Sequence, residues 1–305
     1  MQLLYALQEI RTPALDAVLQ LITRLGEETV FMVVAIVVFW CVSKKCGYYL
    51  LSVGFFGALA NQWLKITFRI PRPWVLDPNF EIVESAREAA TGYSFPSGHT
   101  QSAVGTFGGM ARMAKTKWLR WACIAIALLV SFSRLYLGVH TPLDVGVSLV
   151  VATVLVLVLW PIVEKAEEKP AVMGWLLAAM LAFSGAFLAF LYCYPFPADV
   201  DAENLAHAVS SAWKFMGAIV GMFLAWWVEQ RYIRFEVKAV WWVQIVKAVL
   251  GLAIVVAIKS GLKAPLIALV SHEGVANAVR YGLIVFFAGA LWPLTFKFWN
   301  KCGKK

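Results

Sequence analysis

Long uninterrupted runs of apolar residues constrain this chain more than any other feature. The runs within 142–163 and 171–193 have the length of about 20 residues that a helix needs to cross a bilayer. Apolar residues make up 61% of the chain and charged residues only 15%, too few to cover the surface of a water-soluble protein. The sequence therefore predicts an all-α fold, a polytopic bundle of transmembrane helices.

About nine spans are predicted, and a charged linker at 164–170 separates the fifth from the sixth. The spans are placed at 27–43, 48–66, 98–114, 118–137, 142–163, 171–193, 208–228, 239–258 and 277–299. Residues 1–163 are predicted to form one membrane domain, whose amphipathic N-terminal segment lies at the interface or leads into the first span. Residues 171–305 are predicted to form an additional domain of about four spans. Segment 264–270 is too short to cross and is interpreted as re-entrant.

The distribution of basic residues predicts the orientation. More than half of the 27 Lys and Arg residues fall in the connections of one side, including the C-terminus, which the positive-inside rule assigns to the cytoplasm. The loops at 67–97 and 138–141 then face outward. Basic span ends near anionic lipid explain the net charge of +9 without a nucleic-acid partner. Short loops favour a bacterial plasma membrane.

Three polar segments lie at the predicted outward surface. They are Lys65 to Arg72-Pro73, Pro96-Ser97-Gly98-His99, and Ser133-Arg134 followed by His140 and Asp144. Lys65, Arg72 and Arg134 offer three cations, which suits the charge on a phosphoryl group in transfer. Polar side chains at membrane spans are costly and usually functional.

The second and third segments carry two further local signals. Ser97 and Gly98 lead directly into a predicted helix, whose N-terminal amides favour an anion. His140 and Asp144 are four residues apart, and Thr141 resembles an N-cap ahead of Pro142. Asp144 is therefore expected to reach an imidazole N–H of His140 and fix its tautomer.

Together the segments resemble the three motifs of the type 2 phosphatidic acid phosphatase superfamily, K-x6-R-P, P-S-G-H and S-R-x5-H-x3-D. The agreement is complete at every defined position and covers residues 65–144. The resemblance implies that His140 attacks phosphorus to give a phosphohistidine. It also implies that His99 protonates the leaving oxygen and then activates water, and that Ser97 donates to the phosphate.

No metal or other cofactor is implied by the resemblance. The five cysteines are scattered without a C-x-x-C pair, which indicates neither a disulfide framework nor a metal site. The implied partners are the bilayer and a lipid phosphate or pyrophosphate, with a polyprenyl pyrophosphate placed first by family analogy. The oligomeric state is left open.

Several alternatives remain open at this point. A soluble sugar-phosphate hydrolase resembling glucose-6-phosphatase, a lipid phosphotransferase, and a phosphatase-linked lipid transporter share these motifs or this architecture. Asp77 either orients Arg72 or belongs to a solvated loop. Lys247, in the middle of a predicted span, either faces a cavity or extends to the interface. Ser133 is interpreted as structural.

Overall fold

A computed structural model describes residues 1–302, and within them every regular element is helical. The helices of the chain up to residue 136 are α1 (Gln2–Glu9), α2 (Pro13–Thr23), α3 (Glu28–Cys41), α4 (Lys44–Phe68), α5 (Pro73–Leu76), α6 (Gly98–Ala103), α7 (Gly109–Met113) and α8 (Lys117–Tyr136). The remaining helices are α9 (Pro142–Glu168), α10 (Ala171–Cys193), α11 (Ala202–Val228), α12 (Trp241–Gly261), α13 (Lys263–Val270), α14 (Glu273–Phe286), α15 (Trp292–Leu294) and α16 (Phe296–Trp299). The prediction of an all-α fold is confirmed.

Within residues 1–302, six helical segments are long and apolar enough to cross a membrane. They are Lys117–Tyr136, Pro142–Glu168, Ala171–Cys193, Ala202–Ile233, Trp241–Gly261 and Glu273–Trp299. The other three predicted spans are also helical. However, α3 has only 14 residues, α4 carries Lys44, Lys45 and Lys65, and α6 to α7 is short and interrupted by a π-helical stretch at Val104–Gly108. The chain is therefore an integral membrane protein with six candidate spans by length and composition.

The described residues form two compact units that do not follow the order of the chain. The first comprises Met1–Val34, Tyr49–Pro161 and Asp201–Leu205. The second comprises Ala35–Tyr48, Ile162–Val200 and the chain from Ala206 onward. All three motifs lie in the first unit, together with five residues from the loop and first turn that open α11.

In the first unit, small and branched apolar side chains of α6 to α9 form the core. These buried residues are Ala103, Val104, Phe107, Ala111, Cys123, Ala127, Val130 and Ala152. A second cluster joins Leu19 of α2 to Tyr136, Leu137 and Val139 at the end of α8. The N-terminal helices and the core thus fix the end of α8, where the third motif begins.

In the second unit, α11 and α14 cross at glycines. A Cβ at Gly217 would lie 1.9 Å from the carbonyl oxygen of Ala278, so only glycine allows this approach. Lys247 of α12 is fully buried, with its Nζ 4.1 Å from the centre of the Phe296 ring. A cation over an aromatic face is attracted by the ring quadrupole, so Lys247 does not extend to the interface in this structure.

Candidate active site

The three motifs meet where four helix ends of the first unit come together. Lys65 lies in the last turn of α4, and Ser97 caps the N-terminus of α6. Arg134 lies in the last turn of α8, and Asp144 lies in the first turn of α9. Arg72 and His140 occupy the connections between these helices, and both are buried. The chain therefore gathers basic and acidic side chains that are far apart in sequence.

His140 is held between an arginine and a carboxylate. Its Nε2 lies 3.0 Å from Nη1 of Arg72, and its Nδ1 lies 3.4 Å from Oδ2 of Asp144. A guanidinium N–H can only donate, so Nε2 must accept and carries no proton. The proton therefore sits on Nδ1, on the Asp144 side. This tautomer leaves the Nε2 lone pair directed toward the cations, where a phosphate would bind.

Asp144 is the shared acceptor of this arrangement. Its Oδ2 accepts from the hydroxyl of Ser94 at 2.6 Å and from the backbone N–H of Thr141 at 2.7 Å. The Asp144 N–H donates in return to Oγ1 of Thr141 at 3.3 Å, which completes a reciprocal cap on α9. The expected reach of Asp144 to His140 is present, and the cap fixes the carboxylate that makes it.

Burial lowers the pKa of the His140 imidazole well below its ordinary value of 6.5, and the cations of Arg72, Arg134 and Lys65 lower that pKa further. The ring is therefore neutral near pH 7, so its approach to Asp144 is not an ion pair, and the hydrogen-bond partner of Nδ1 is the Ser94 hydroxyl at 3.4 Å. Burial also lowers the pKa of Arg72 to about 10, against the opposing effect of Asp144, so Arg72 stays charged.

Lys65 and Arg72 are anchored by the backbone of residues 91–94, here called the strap. Lys65 donates from Nζ to the carbonyl of Tyr93 at 2.6 Å. Arg72 donates to the carbonyls of Gly92 at 3.0 Å and Thr91 at 2.6 Å. Neutral carbonyls orient the two cations without cancelling their charge, so the charge remains available to an anion.

Arg134 differs from the other two cations because most N–H groups of its guanidinium have no hydrogen-bond acceptor among the described residues. It is 1% exposed, and only Nη1 has a partner, Oγ1 of Thr23 at 2.8 Å. Nε and Nη2 are buried without any hydrogen-bond acceptor among residues 1–302. A buried donor without a partner is costly, so this edge of the guanidinium is suited to an acceptor that arrives with a ligand. Two adjacent N–H groups match two oxygens of a phosphate.

Ser97, Gly98 and His99 form the entrance to α6. The Ser97 Oγ accepts from the Thr100 N–H at 3.4 Å, which leaves the hydroxyl hydrogen free to donate. A Cβ at Gly98 would meet nothing closer than Oδ1 of Asn61 at 3.8 Å, so the space beside this backbone is open to a ligand. His99 is partly buried, and a charge on its ring would lower the pKa of the His140 imidazole.

A short segment from later in the chain braces the strap. The N–H of Asp201 donates to the Tyr93 hydroxyl at 3.3 Å. Oδ1 of Asn204 lies 3.3 Å from the position that a Cβ on Gly92 would take. Both contacts lie within the first unit. The strap is therefore held from the outside by the first turn of α11, while its carbonyls hold Arg72 and Lys65.

The structure places Asp77, which the sequence left open, and Ser133, which it assigned a structural role. Asp77 accepts from the Tyr5 hydroxyl at 2.8 Å, whereas Arg72 is oriented by the strap and by the carbonyl of Val139. Ser133 is fully buried and donates to the carbonyl of Val130, as expected of a structural residue. Sequence reasoning missed Ser94 and Thr23, and the only signal for Ser94 was its position two residues before the second motif.

Comparison with known families agrees with this geometry. Residues 45–168 match the model described as the PAP2 superfamily, and residues 213–304 match the model of the PAP2 superfamily phosphatase transmembrane extension. The chain belongs to the PAP2 superfamily. The resemblance inferred from the three motifs is therefore confirmed, and all of the candidate site residues lie inside the first matched region. The second match shows that the C-terminal part of this PAP2 chain resembles a transmembrane extension of PAP2 superfamily phosphatases.

Curated relatives of this PAP2 chain are named as lipid phosphatases. It is 32% identical over 37% of its length to undecaprenyl-diphosphatase BcrC of Bacillus subtilis, covering 55% of that protein. It is 32% identical over 48% of its length to a probable sphingosine-1-phosphate phosphatase of Dictyostelium discoideum, covering 38% of it. It is 47% identical over 18% of its length to an undecaprenyl-diphosphatase of Sulfolobus acidocaldarius, covering 26% of it. The chain thus spans about half or less of these relatives, and no solved structure matches it significantly.

Proposed function

We propose that this protein is a phosphatase that hydrolyses a lipid phosphate or pyrophosphate through a phosphohistidine at His140. The observation that carries the proposal is the unused edge of Arg134, whose buried Nε and Nη2 have no acceptor in the described chain. Arg72, on the Nε2 side of His140, and Lys65 supply two further cations. A phosphoryl group would satisfy these donors and bring its phosphorus to the Nε2 lone pair.

In the first step, Nε2 of His140 attacks phosphorus and the bond from phosphorus to the leaving oxygen breaks. His99 gives its proton to that oxygen, so the lipid alcohol or lipid monophosphate leaves. The negative charge of the bound phosphate favours the protonated His99 ring that this step needs. As Nε2 forms its bond, the ring becomes cationic, and Asp144 stabilises it through Nδ1. Arg72, Arg134 and Lys65 offset the charge on the equatorial oxygens.

In the second step, the neutral His99 accepts a proton from water, and the water oxygen attacks phosphorus. The bond from phosphorus to Nε2 breaks, inorganic phosphate leaves, and His140 returns to its starting tautomer. The protein's own cations supply the electrostatic stabilisation, so we propose a mechanism without metal. The same phosphohistidine transfers its group to an alcohol instead of water if the pocket admits one.

A polyprenyl pyrophosphate is the substrate that we place first. Two of the relatives reported above are named undecaprenyl-diphosphatases, and the site lies at helix ends, where a lipid can present its phosphate without leaving the bilayer. A sphingoid-base phosphate is the second candidate, since another relative is named for sphingosine 1-phosphate. Both are long-chain phosphates, consistent with a site at the edge of a bundle.

We further propose nine spans, an extracytoplasmic site and a cytoplasmic C-terminus in a bacterial plasma membrane. The basic connections support this orientation. Residues 1–163 carry the chemistry in this proposal, and residues 171–305 form an additional membrane domain. An enzyme reporter fused after Lys305 tests the orientation. Activity of a cytoplasm-specific reporter is expected, whereas activity of a periplasm-specific reporter at that position would overturn it.

Phosphate release from a panel of compounds tests the function. The purified protein in detergent is assayed with a polyprenyl pyrophosphate, phosphatidic acid, sphingosine 1-phosphate and glucose 6-phosphate. The same panel is run with His140→Gln. Release from one or more lipids that depends on His140 supports the proposal. Release from glucose 6-phosphate alone would replace the lipid by a sugar phosphate, and release unaffected by His140→Gln would reject the mechanism.

A further inference from the structure

A cavity of about 360 Å³ lies in the first unit at the far end of the motif helices. It is lined by α7, α8, α9 and the π-helical stretch at Val104–Gly108, and its walls include Gly108, Ile124, Leu128 and Val156. The catalytic motifs occupy the start of α6, the end of α8 and the start of α9. The cavity is lined instead by α7, the first part of α8 and the middle of α9, and the 16 residues from Gly98 to Met113 rise about 24 Å if helical throughout.

Two arginines stand at one end of this apolar cavity. Arg112 and Arg120 line it, and both are solvent-exposed. Arg112 lies over the Trp160 ring, 5.7 Å from its centre, and Arg120 donates to the carbonyl of Ala114 at 3.3 Å. Each guanidinium is therefore oriented by a neutral group, which does not neutralise its positive charge. Lys115 and Lys117 add two more cations in the same turn, and residues 109–131 contain no acid.

Tryptophans mark the same end of the cavity as the level of lipid headgroups. Trp118 and Trp121, beside Arg120 on α8, are 71% and 66% exposed. Exposed tryptophans concentrate where the apolar core of a bilayer meets the headgroups. The cavity thus begins among cations at headgroup level and continues along apolar walls into the span. Its size falls within the range of about 300 to 1,000 Å³ typical of ligand sites.

We propose that this cavity binds an anionic phospholipid of the leaflet opposite the catalytic motifs. One acyl chain lies against Gly108, Ile124, Leu128 and Val156, and the phosphate lies between Arg112 and Arg120. The charge complementarity argues for an acidic lipid, because a zwitterionic headgroup would bring a fifth cation into a turn that already carries four. This lipid is separate from the substrate, whose phosphate is assigned to His140, and its binding does not depend on the proposed hydrolysis.

Photolabelling of the full-length protein tests the proposal. The protein is reconstituted in phosphatidylcholine nanodiscs that contain phosphatidylglycerol with a diazirine in one acyl chain. A phosphatidylcholine carrying the same diazirine chain is the matched probe. We expect label on residues 104–128 and 149–157, about tenfold more from phosphatidylglycerol than from phosphatidylcholine. Equal labelling by the two probes, or label confined to other helices, would overturn the proposal.

Two double variants distinguish lipid binding at the cavity from non-specific attraction by the basic turn. Arg112→Gln with Arg120→Gln should remove most of the preference for phosphatidylglycerol. Lys115→Gln with Lys117→Gln makes the same change in net charge outside the cavity and should keep at least about half of it. An equal loss in both double variants would show diffuse attraction rather than a site. Unlabelled phosphatidylglycerol should displace the label at a lower mole fraction than undecaprenyl phosphate does. The reverse order would assign the cavity to a polyprenyl tail and would also reject the proposal.

A variant that fills the cavity gives an independent measurement. A Cβ at Gly108 would lie 3.5 Å from Cγ1 of Val104 and 3.7 Å from Cγ2 of Val156, so a side chain fits there and extends into the cavity. Gly108→Leu should lower labelling of residues 104–128 about tenfold. Gly261→Leu, at a glycine with nothing within 4 Å, is the control and should leave it unchanged. Unchanged labelling in a correctly folded Gly108→Leu protein would contradict the assignment.

Discussion

Nη1 of Arg72 lies 3.0 Å from Nε2 of His140, on the side of the ring opposite Asp144. The contact assigns the imidazole proton to Nδ1 and keeps the lone pair of Nε2 facing the cations. In the proposed mechanism, the ring needs no change of tautomer before it attacks. There, a bound phosphate would take over the arginine donor and free the lone pair of Nε2 at the same time.

Nitrogen-15 NMR of histidine-labelled protein tests this tautomer and the acidity of the ring. The chain has only four histidines, so His140→Gln identifies the signal. Burial and three cations lower the pKa of His140, so the ring stays neutral as the pH falls through 6.5 and gains a proton only at lower pH. The expected spectrum at pH 6 is a neutral ring protonated at Nδ1. A ring already charged at pH 6.5 would contradict the structure.

Arg134→Lys tests the unused edge of the guanidinium. Lysine keeps the charge but cannot present Nε and Nη2 to two oxygens, so kcat should fall by about 100-fold or more. Arg231→Lys, an exposed arginine of the second unit, is the control and should be neutral. Thermal stability should change little, because within the described part of the chain Arg134 has one hydrogen bond to lose, that to Thr23. An Arg134→Lys enzyme with unchanged kcat would remove the observation on which the proposed function rests.

Ser94→Ala tests a positioning residue outside the sequence motifs. Its hydroxyl donates to the Asp144 oxygen that also faces His140, so its loss should loosen the carboxylate and lower kcat about tenfold to 100-fold with little change in KM. Ser131→Ala removes a buried serine that only bonds the carbonyl of Ala127 and serves as the control. The Nδ1 signal of His140 should shift in Ser94→Ala alone. A loss of stability without a change in that signal would indicate a purely structural role.

Tyr93→Phe tests the brace on the strap. It removes the hydroxyl that accepts from the Asp201 N–H and leaves the strap carbonyls in place. Lys65 and Arg72 should then be less firmly oriented, and KM should rise about threefold to tenfold while kcat changes less. Tyr192→Phe, which removes a hydroxyl bonded to Trp213 in the second unit, is the control. Equal kinetic effects of the two variants would show that the brace does not act on the site.

The motifs predicted which polar residues lie together at the candidate site because each motif is read locally, at fixed spacings along the chain. His140 and Asp144 share one helix start, and Ser97 caps the next, so periodicity and capping rules place them. The span count was less certain, because α4 carries lysines and α6 to α7 is short, and hydropathy alone does not identify such helices.

The contacts of the site that the sequence did not predict depend on tertiary packing. Thr23 reaches Arg134 across 111 residues, and no local pattern connects them. Asp201–Leu205 also belongs to the first unit because the start of α11 contacts the strap, and no local sequence pattern indicates that contact. Hydrophobic periodicity predicts which helices form, whereas the contacts between polar side chains at their ends follow from the packing of those helices.

Trapping of the phosphoenzyme tests directly whether His140 is the nucleophile. The protein is mixed with a substrate labelled in the phosphorus that Nε2 attacks, then quenched in base and digested, since a phosphohistidine survives base and is lost in acid. One labelled peptide, containing His140, is expected, and it should be absent in His140→Gln. With a substrate whose leaving group needs no proton, the same peptide should be more abundant in His99→Gln. Steady hydrolysis with no label on His140 at any time, or label on another residue, would contradict it.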